Sequence, residues 1–258
     1  MTLQLRQIAF VADRLEPVLQ DFEAVFGLVR CYIDPGVAVF GLENTLMPVG
    51  RNFFEVVAPV TPQTAAGRYL ERRKGDGGYM VITQAPSLAE LEDVRRQAGE
   101  VGVRVAWESS RPGWTLIQLH PGDLKTTFLD VEWDAAGDLA GPWPPAGGAG
   151  WEASVRQDLV VDFSAVELQA DDPVGAARLW SAVTGAPVQV EAGVPRVRLN
   201  NAGLRFVPAV DGRGPGLSAV DLKVRDPAEI VARARARGLP ATEDRVEVCG
   251  VRFHLVRA

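Results

Sequence analysis

Ile8-Ala9-Phe10-Val11-Ala12-Asp13 reads as a short apolar strand running into an acidic turn, and Leu15-Glu16-Pro17-Val18-Leu19-Gln20-Asp21-Phe22-Glu23-Ala24-Val25-Phe26 follows with helical spacing. Leu15, Val18, Leu19, Phe22 and Phe26 share one face of that helix, and Gly27 ends it as a C-cap. Extended runs are expected over 37–42, 45–49 and 53–58, with Gly50-Arg51-Asn52 as a hairpin turn. The order is therefore β-α-β-β-β. Its opening returns at Met80-Val81-Ile82-Thr83-Gln84-Ala85-Pro86, Val166-Glu167-Leu168-Gln169-Ala170-Asp171 and Val220-Asp221-Leu222-Lys223-Val224-Arg225-Asp226. An internal repeat governs every later reading of a fold. Units of roughly 50–60 residues bury too little surface to stand comfortably alone, so they pack in pairs and leave a cleft for a ligand.

A connector helix is expected over about 62–74, with Thr61 as its cap, Pro62 in its first turn and Gly75 beyond its end. The second unit reads as a strand over 79–84, a helix over 87–98, and strands over 104–108, 114–120 and 126–133. Composition then changes abruptly. Residues 137–150 include Gly141-Pro142-Trp143-Pro144-Pro145-Ala146-Gly147-Gly148-Ala149-Gly150, which suits neither a helix nor a central strand. Asp171-Asp172-Pro173 and Asp226-Pro227 open the helices of units three and four. Asp accepts the orphan amides there, and Pro loses no bond at the first helical position. These signals predict an α+β fold of four βαβββ units forming two paired, curled mixed sheets, with the helices outside. The halves are 1–136 and 163–258, joined by a linker over 137–162. Pairing of one with two and three with four is the simple arrangement; outer with outer and inner with inner is the other.

Composition narrows the function classes. The chain is 47% hydrophobic and 23% charged, which is ordinary for a globular protein. Its net charge is −6 and no basic block dominates; Arg72-Arg73-Lys74 and the alternating Arg233, Arg235 and Arg237 read as solvated helix faces, which argues against a nucleic-acid partner. The segment Met1-Thr2-Leu3-Gln4-Leu5-Arg6 shows no charged-then-apolar leader pattern, and no long apolar span points to a membrane. Cys31 and Cys249 have no metal-type spacing, so a cytoplasmic chain with reduced thiols is expected.

The chain resembles the vicinal oxygen chelate superfamily, which includes glyoxalase I, bleomycin-resistance proteins and extradiol dioxygenases. The resemblance rests on Gln7-Ile8-Ala9-Phe10-Val11-Ala12-Asp13-Arg14-Leu15, the helix ending Val25-Phe26-Gly27-Leu28, and Phe53-Phe54-Glu55-Val56-Val57-Ala58-Pro59. Leu42-Glu43-Asn44-Thr45-Leu46-Met47-Pro48-Val49-Gly50 is similar to the glyoxalase-like subgroup. It covers units one and two well; units three and four match only in pattern. By resemblance, metal ligands come from the start of the first strand and from the last strand of paired units. Those positions hold Gln7 and Glu55, Met80 and Asp130, Ala165 and a residue near Val207, and Ala219 and His254. Only Gln7, Glu55 and Asp130 are suited to a hard divalent ion, since Met is a soft thioether, so the implied metal site is eroded.

Strand alternation sets Glu55 on the face opposite Phe54 and Val56, where it suits a general base or a metal ligand. Asp130, between Leu129 and Val131, has the same logic and would share acid and base roles with it. Gln7 is neutral and orients a carbonyl at low desolvation cost. Arg68, on the connector helix, would pair an anionic substrate, and His120, before Pro121-Gly122, either binds substrate or simply ends a strand. Two functions follow. One is a lyase- or isomerase-type enzyme abstracting a proton next to a carbonyl. The other is a binding protein that sequesters a small apolar or aromatic molecule. The partner in both is a small molecule, and a homodimer is left open.

Overall fold

The computed structural model describes residues 3–143 and 146–258. Met1, Thr2 and the linker prolines Pro144 and Pro145 lie outside the described residues.

The chain is a mixed α+β protein. Its elements are β1 (Gln4–Val11), α1 (Leu15–Phe26), β2 (Leu42–Val49), β3 (Asn52–Pro59), α2 (Ala65–Arg73), β4 (Gly77–Gln84), α3 (Leu88–Glu100), β5 (Val105–Arg111), β6 (Trp114–Leu119), the single turn α4 (Pro121–Leu124) and β7 (Phe128–Asp134). There follow β8 (Val160–Ala170), α5 (Pro173–Thr184), β9 (Val188–Glu191), β10 (Val194–Arg198), β11 (Gly203–Pro208), β12 (Gly216–Val224), α6 (Pro227–Ala236), β13 (Arg245–Val248) and β14 (Val251–Arg257). Among the described residues, no helix is long and apolar enough to cross a membrane.

The wiring recurs. β5, β6 and β7 are antiparallel in turn, and β7 returns parallel to β4. β9, β10 and β11 are likewise antiparallel, and β11 returns parallel to β8. β13 pairs antiparallel with β14, which returns parallel to β12. β2 and β3 form an antiparallel hairpin, and the Ala12 N–H donates to the Val57 carbonyl at 2.9 Å. A parallel return requires a crossover, which is the place of each helix. Three strands follow the helix in the second and third segments. Isolated bridges join Tyr32 to Leu46 and Ala241 to Val246.

The strand expected over 37–42 is instead a 3-10 helix, Pro35–Phe40. Asp34 caps it by accepting from the Gly36 N–H, Pro35 supplies a fixed φ at the first position, and Gly41 closes it in the left-handed region. The connector helix starts later than Thr61 and Pro62 suggested. Gln63 has φ 62°, which breaks the run, and Thr64 takes the cap by accepting from the Gly67 N–H. The Asp–Pro helix starts are as expected: Asp172 accepts from Gly175, and Asp226 accepts from Ala228 and Glu229. Asp226→Ala should therefore cost about 1 kcal/mol, read as a lower urea midpoint at unchanged slope.

Two compact units interleave along the chain. One comprises residues 1–7, 79–142 and 165–217; the other comprises 8–78, 143–164 and 218–258. The inner segments thus cluster together, as do the outer ones, in place of the simple sequential pairing. In the inner unit α3 packs on α5. Trp180 of α5 is fully buried and donates Nε1–H to the Leu124 carbonyl at 3.2 Å and Thr126 Oγ1 at 3.0 Å. In the outer unit α1 packs on α6. The Phe253 ring of β14 lies 4.9 Å from Phe26, 5.8 Å from Phe10 and Phe22, and 6.0 Å from Phe54.

The described residues of the Gly/Pro segment are packed. Up to Pro142 it belongs to the inner unit, where the fully buried Arg6 donates to the carbonyls of Asp138 (3.2 Å) and Gly141 (2.7 Å). From Trp143 it belongs to the outer unit, where the Trp151 ring lies 4.8 Å from Phe53. A Cβ on Gly147 would stand 2.7 Å from the Phe53 ring, and its φ is 85°. Glycine is needed there for close approach as well as for the turn.

Candidate active site

In the outer unit, Phe54 meets Phe10 and Phe22 within the aromatic core, which puts Glu55 on the opposite face of β3 with Phe53 and Val57. Glu55 is 7% exposed. Across the hairpin it faces Leu46, with Asn44 and Val57 as the next pair on the same face. Asn44 Nδ2 donates to Glu55 Oε1 at 2.5 Å, while Asn44 Oδ1 accepts from the Asp34 N–H at 3.0 Å. Two consecutive hydrogen bonds thus lead from the cap of the 3-10 helix to a buried acid.

Asp130 belongs to the inner unit and is 4% exposed. β7 pairs it with Ile82 of β4 and Gln118 of β6, while its neighbours Leu129 and Val131 occupy the other face, fully buried. Gln118 Nε2 donates to Asp130 Oδ2 at 3.5 Å and approaches Met80 Sδ at 4.0 Å. The same face continues with polar groups. Trp114 Nε1 donates to Glu132 Oε2 at 2.8 Å, and Gln84 Nε2 donates to Asp134 Oδ2 at 2.6 Å. Gln84 Oε1 accepts from the Arg6 guanidinium at 2.7 Å. Gln7 is buried, at the end of the β1 residues that belong to this unit.

The remaining candidates lie on the surface. Arg68 is exposed and donates to the Gln63 carbonyl at 2.6 Å, closing its own helix start. His120 is the N-cap residue of α4; its Nδ1 lies 3.7 Å from Asp123 and 3.5 Å from Arg104 Nη2. Arg104 and Asp123 form an ion pair at 2.7 Å, and hydrogen bonding to that guanidinium holds the Asp123 carboxyl down at about 2. A depressed carboxylate adds stability above its unfolded pKa near 4, and that part is lost as pH falls towards 2. Asp123→Asn should accordingly flatten the acid side of the melting-temperature profile between about pH 4 and 2.

No family model matches the chain, and no curated protein sequence does either. Solved structures do. A Mn(II)-bound glyoxalase from Novosphingobium aromaticivorans aligns with a TM-score of 0.67 at 13% identity, over 98% of this chain and 81% of that one. A mutant 4-hydroxymandelate synthase from Streptomyces coelicolor aligns with a TM-score of 0.69 at 13% identity, over 93% and 76%. A hypothetical protein from Staphylococcus aureus aligns at 0.66 and 13% identity over the whole of both chains. The chain has the vicinal oxygen chelate fold.

The positions that the sequence resemblance marks for metal ligands include the hard donors Gln7, Glu55 and Asp130. Met80 offers a thioether and Ala165 and Ala219 offer nothing, while one Glu55 oxygen is engaged by Asn44. Among the described residues no three His, Cys, Asp or Glu side chains converge. His254 is half-buried on β14, facing Asp221 of β12 and Arg245 of β13 in register. Asn44, Gln118, Gln84 and Arg6 escaped the sequence reading, because neutral or strand-borne polar residues show their role only through cross-strand register. Asn44 had a usable signal: its place in the stretch that resembles the glyoxalase-like subgroup.

Proposed function

We propose that the chain is a glyoxalase-like enzyme that moves a proton on the carbon next to a carbonyl of a small substrate, with Glu55 as the base. The observation that carries this reading is the buried Glu55 carboxylate, held by Asn44 on the face of β3 turned away from the aromatic core. A buried, aligned carboxylate is shielded from competing water and can accept a carbon-bound proton, hold it, and return it. The substrate C–H bond breaks, its electron pair delocalises into the carbonyl as an enolate, and return of the proton from Glu55 completes an isomerisation. In the inner unit, taken by itself, Asp130, steadied by Gln118, is a second candidate acid and Gln7 a candidate to orient a carbonyl. We further read the four segments as copies of one βαβββ unit, with 1–136 and 163–258 as duplicated halves.

The test incubates wild type and Glu55→Gln in D2O with hydroxyacetone, pyruvate, or methylglyoxal plus glutathione, and follows loss of the α-proton by proton NMR. Exchange above the buffer rate that disappears in Glu55→Gln supports the base. Equal exchange in both proteins overturns it. The bare ligand positions at Met80, Ala165 and Ala219 favour the second reading, a binding protein without chemistry. That reading requires calorimetric binding of a small apolar or aromatic molecule with no exchange in either protein.

A further inference from the structure

Where α1 packs on α6 in the outer unit, a cavity of about 240 Å³ opens beside the end of α1. Phe26, Val29 and Leu159 give it an apolar lining, and Arg156, Asp158 and Arg233 give it a charged one. All six residues belong to the outer unit. Phe26 is buried against Phe22, which also meets Phe54, so the cavity lies on the side of β3 away from Glu55.

The walls are fixed by bonds within the unit. The Arg225 N–H donates to the Leu159 carbonyl at 2.9 Å and Arg225 Nε donates to the Gln157 carbonyl at 2.7 Å, which holds the backbone on both sides of Asp158. Arg156 Nη1 donates to the carbonyls of Ala153 and Val155, each at 2.8 Å. Uncharged carbonyls orient the guanidinium without neutralising it, and among the described residues no carboxylate pairs with Arg156. Arg233 engages Glu229 Oε1 through Nε at 2.7 Å, which leaves its two terminal nitrogens for a second acceptor. Guanidinium groups recognise carboxylates through paired N–H donors, and one already held in place loses little freedom on binding. The volume falls just below the roughly 300–1,000 Å³ usual for drug-sized ligands, so the occupant is a small molecule.

We propose that this cavity binds a small organic acid, with its carboxylate on Arg156 and Arg233 and its apolar body on Phe26, Val29 and Leu159. The site is independent of the reading of Glu55. Asp158 separates two sources of such a carboxylate: it would pair with the ammonium group of an apolar amino acid and repel a simple carboxylic acid.

The experiment titrates nitrogen-15-labelled full-length protein with 3-phenylpropionate, with its neutral amide 3-phenylpropanamide, and with L-phenylalanine, and follows backbone amide shifts. An acid should shift the amides of residues 27–29 and 157–159 saturably, and the neutral amide should bind about tenfold more weakly. Arg156→Gln, a change at an exposed position, should erase most of that preference and leave α-proton exchange unchanged. Glu55→Gln should bind the acid as wild type does. Tighter binding of L-phenylalanine than of 3-phenylpropionate, with the advantage lost in Asp158→Asn, assigns the amino-acid source; weaker binding assigns the simple acid. No saturable shift at these amides with either acid, or equal affinity for 3-phenylpropionate and its amide, would overturn the proposal.

Discussion

Phe253→Ala is expected to destabilise the protein by about 3–5 kcal/mol, the cost of emptying a fully buried aromatic site. Phe253 is 0% exposed and touches rings from β1, α1 and β3, all elements of the first segment. The cavity would therefore open between the first and last segments, not inside the last one. Hydrogen exchange identifies the elements that fail: amides of α1 and β3 should lose protection together with those of β14. Loss confined to β12, β13 and β14, with α1 unaffected, would show that the outer segments do not share a core. His254→Ala, one residue along on the opposite face of β14, is the control and should cost far less, because that position is half-buried.

Glu55→Gln is expected to lower α-proton exchange by about 10²–10⁴-fold while the melting temperature stays within a few degrees of wild type. The swap keeps side-chain length and an oxygen able to accept from Asn44 Nδ2, so the hairpin retains its buried hydrogen bond. What is lost is the basic electron pair of a carboxylate. A melt that collapses in step with the rate would assign Glu55 to the fold instead. A rate that survives would move the base elsewhere, with Asp130 the next group to substitute because it too is buried on the face of its strand away from the core residues Leu129 and Val131.

Local signals were legible wherever their energetics are local. Gly27 closes α1 at φ 69°, and Asp172 and Asp226 cap α5 and α6, because each depends on a few consecutive residues. The expected strand over 37–42 failed for a local reason that alternation hides. Pro35 and the Asp34 cap commit the backbone to a 3-10 turn before the β-branched residues can pair. Thr61 failed as a cap because the left-handed Gln63 intervenes, and Thr64 is equally competent three residues on.

Glu55 and Asp130 stand out in the sequence as acids flanked by apolar residues on a strand, a period-two argument joined to the positions the family resemblance marks. Their partners were invisible. Asn44 reaches Glu55, and Gln118 reaches Asp130, only because antiparallel register sets those pairs on common faces. Arg68 is expected over the cleft from its connector helix and His120 beside a turn; Arg68 donates to the Gln63 carbonyl and His120 adjoins the Arg104–Asp123 pair.

The alternation of strands and helices, the Asp–Pro helix starts and the strand face that carries each acid are legible in the chain alone, because they follow from backbone geometry over a few residues. The clustering of outer segments with outer and inner with inner, and the packing of the described residues of the Gly/Pro segment, come from tertiary contacts. Neither arrangement is favoured by residues close in sequence, because the contacts that distinguish them join residues far apart in the chain. The choice is made by long-range fit, Phe253 among the rings of α1 and Trp180 on the carbonyl of Leu124.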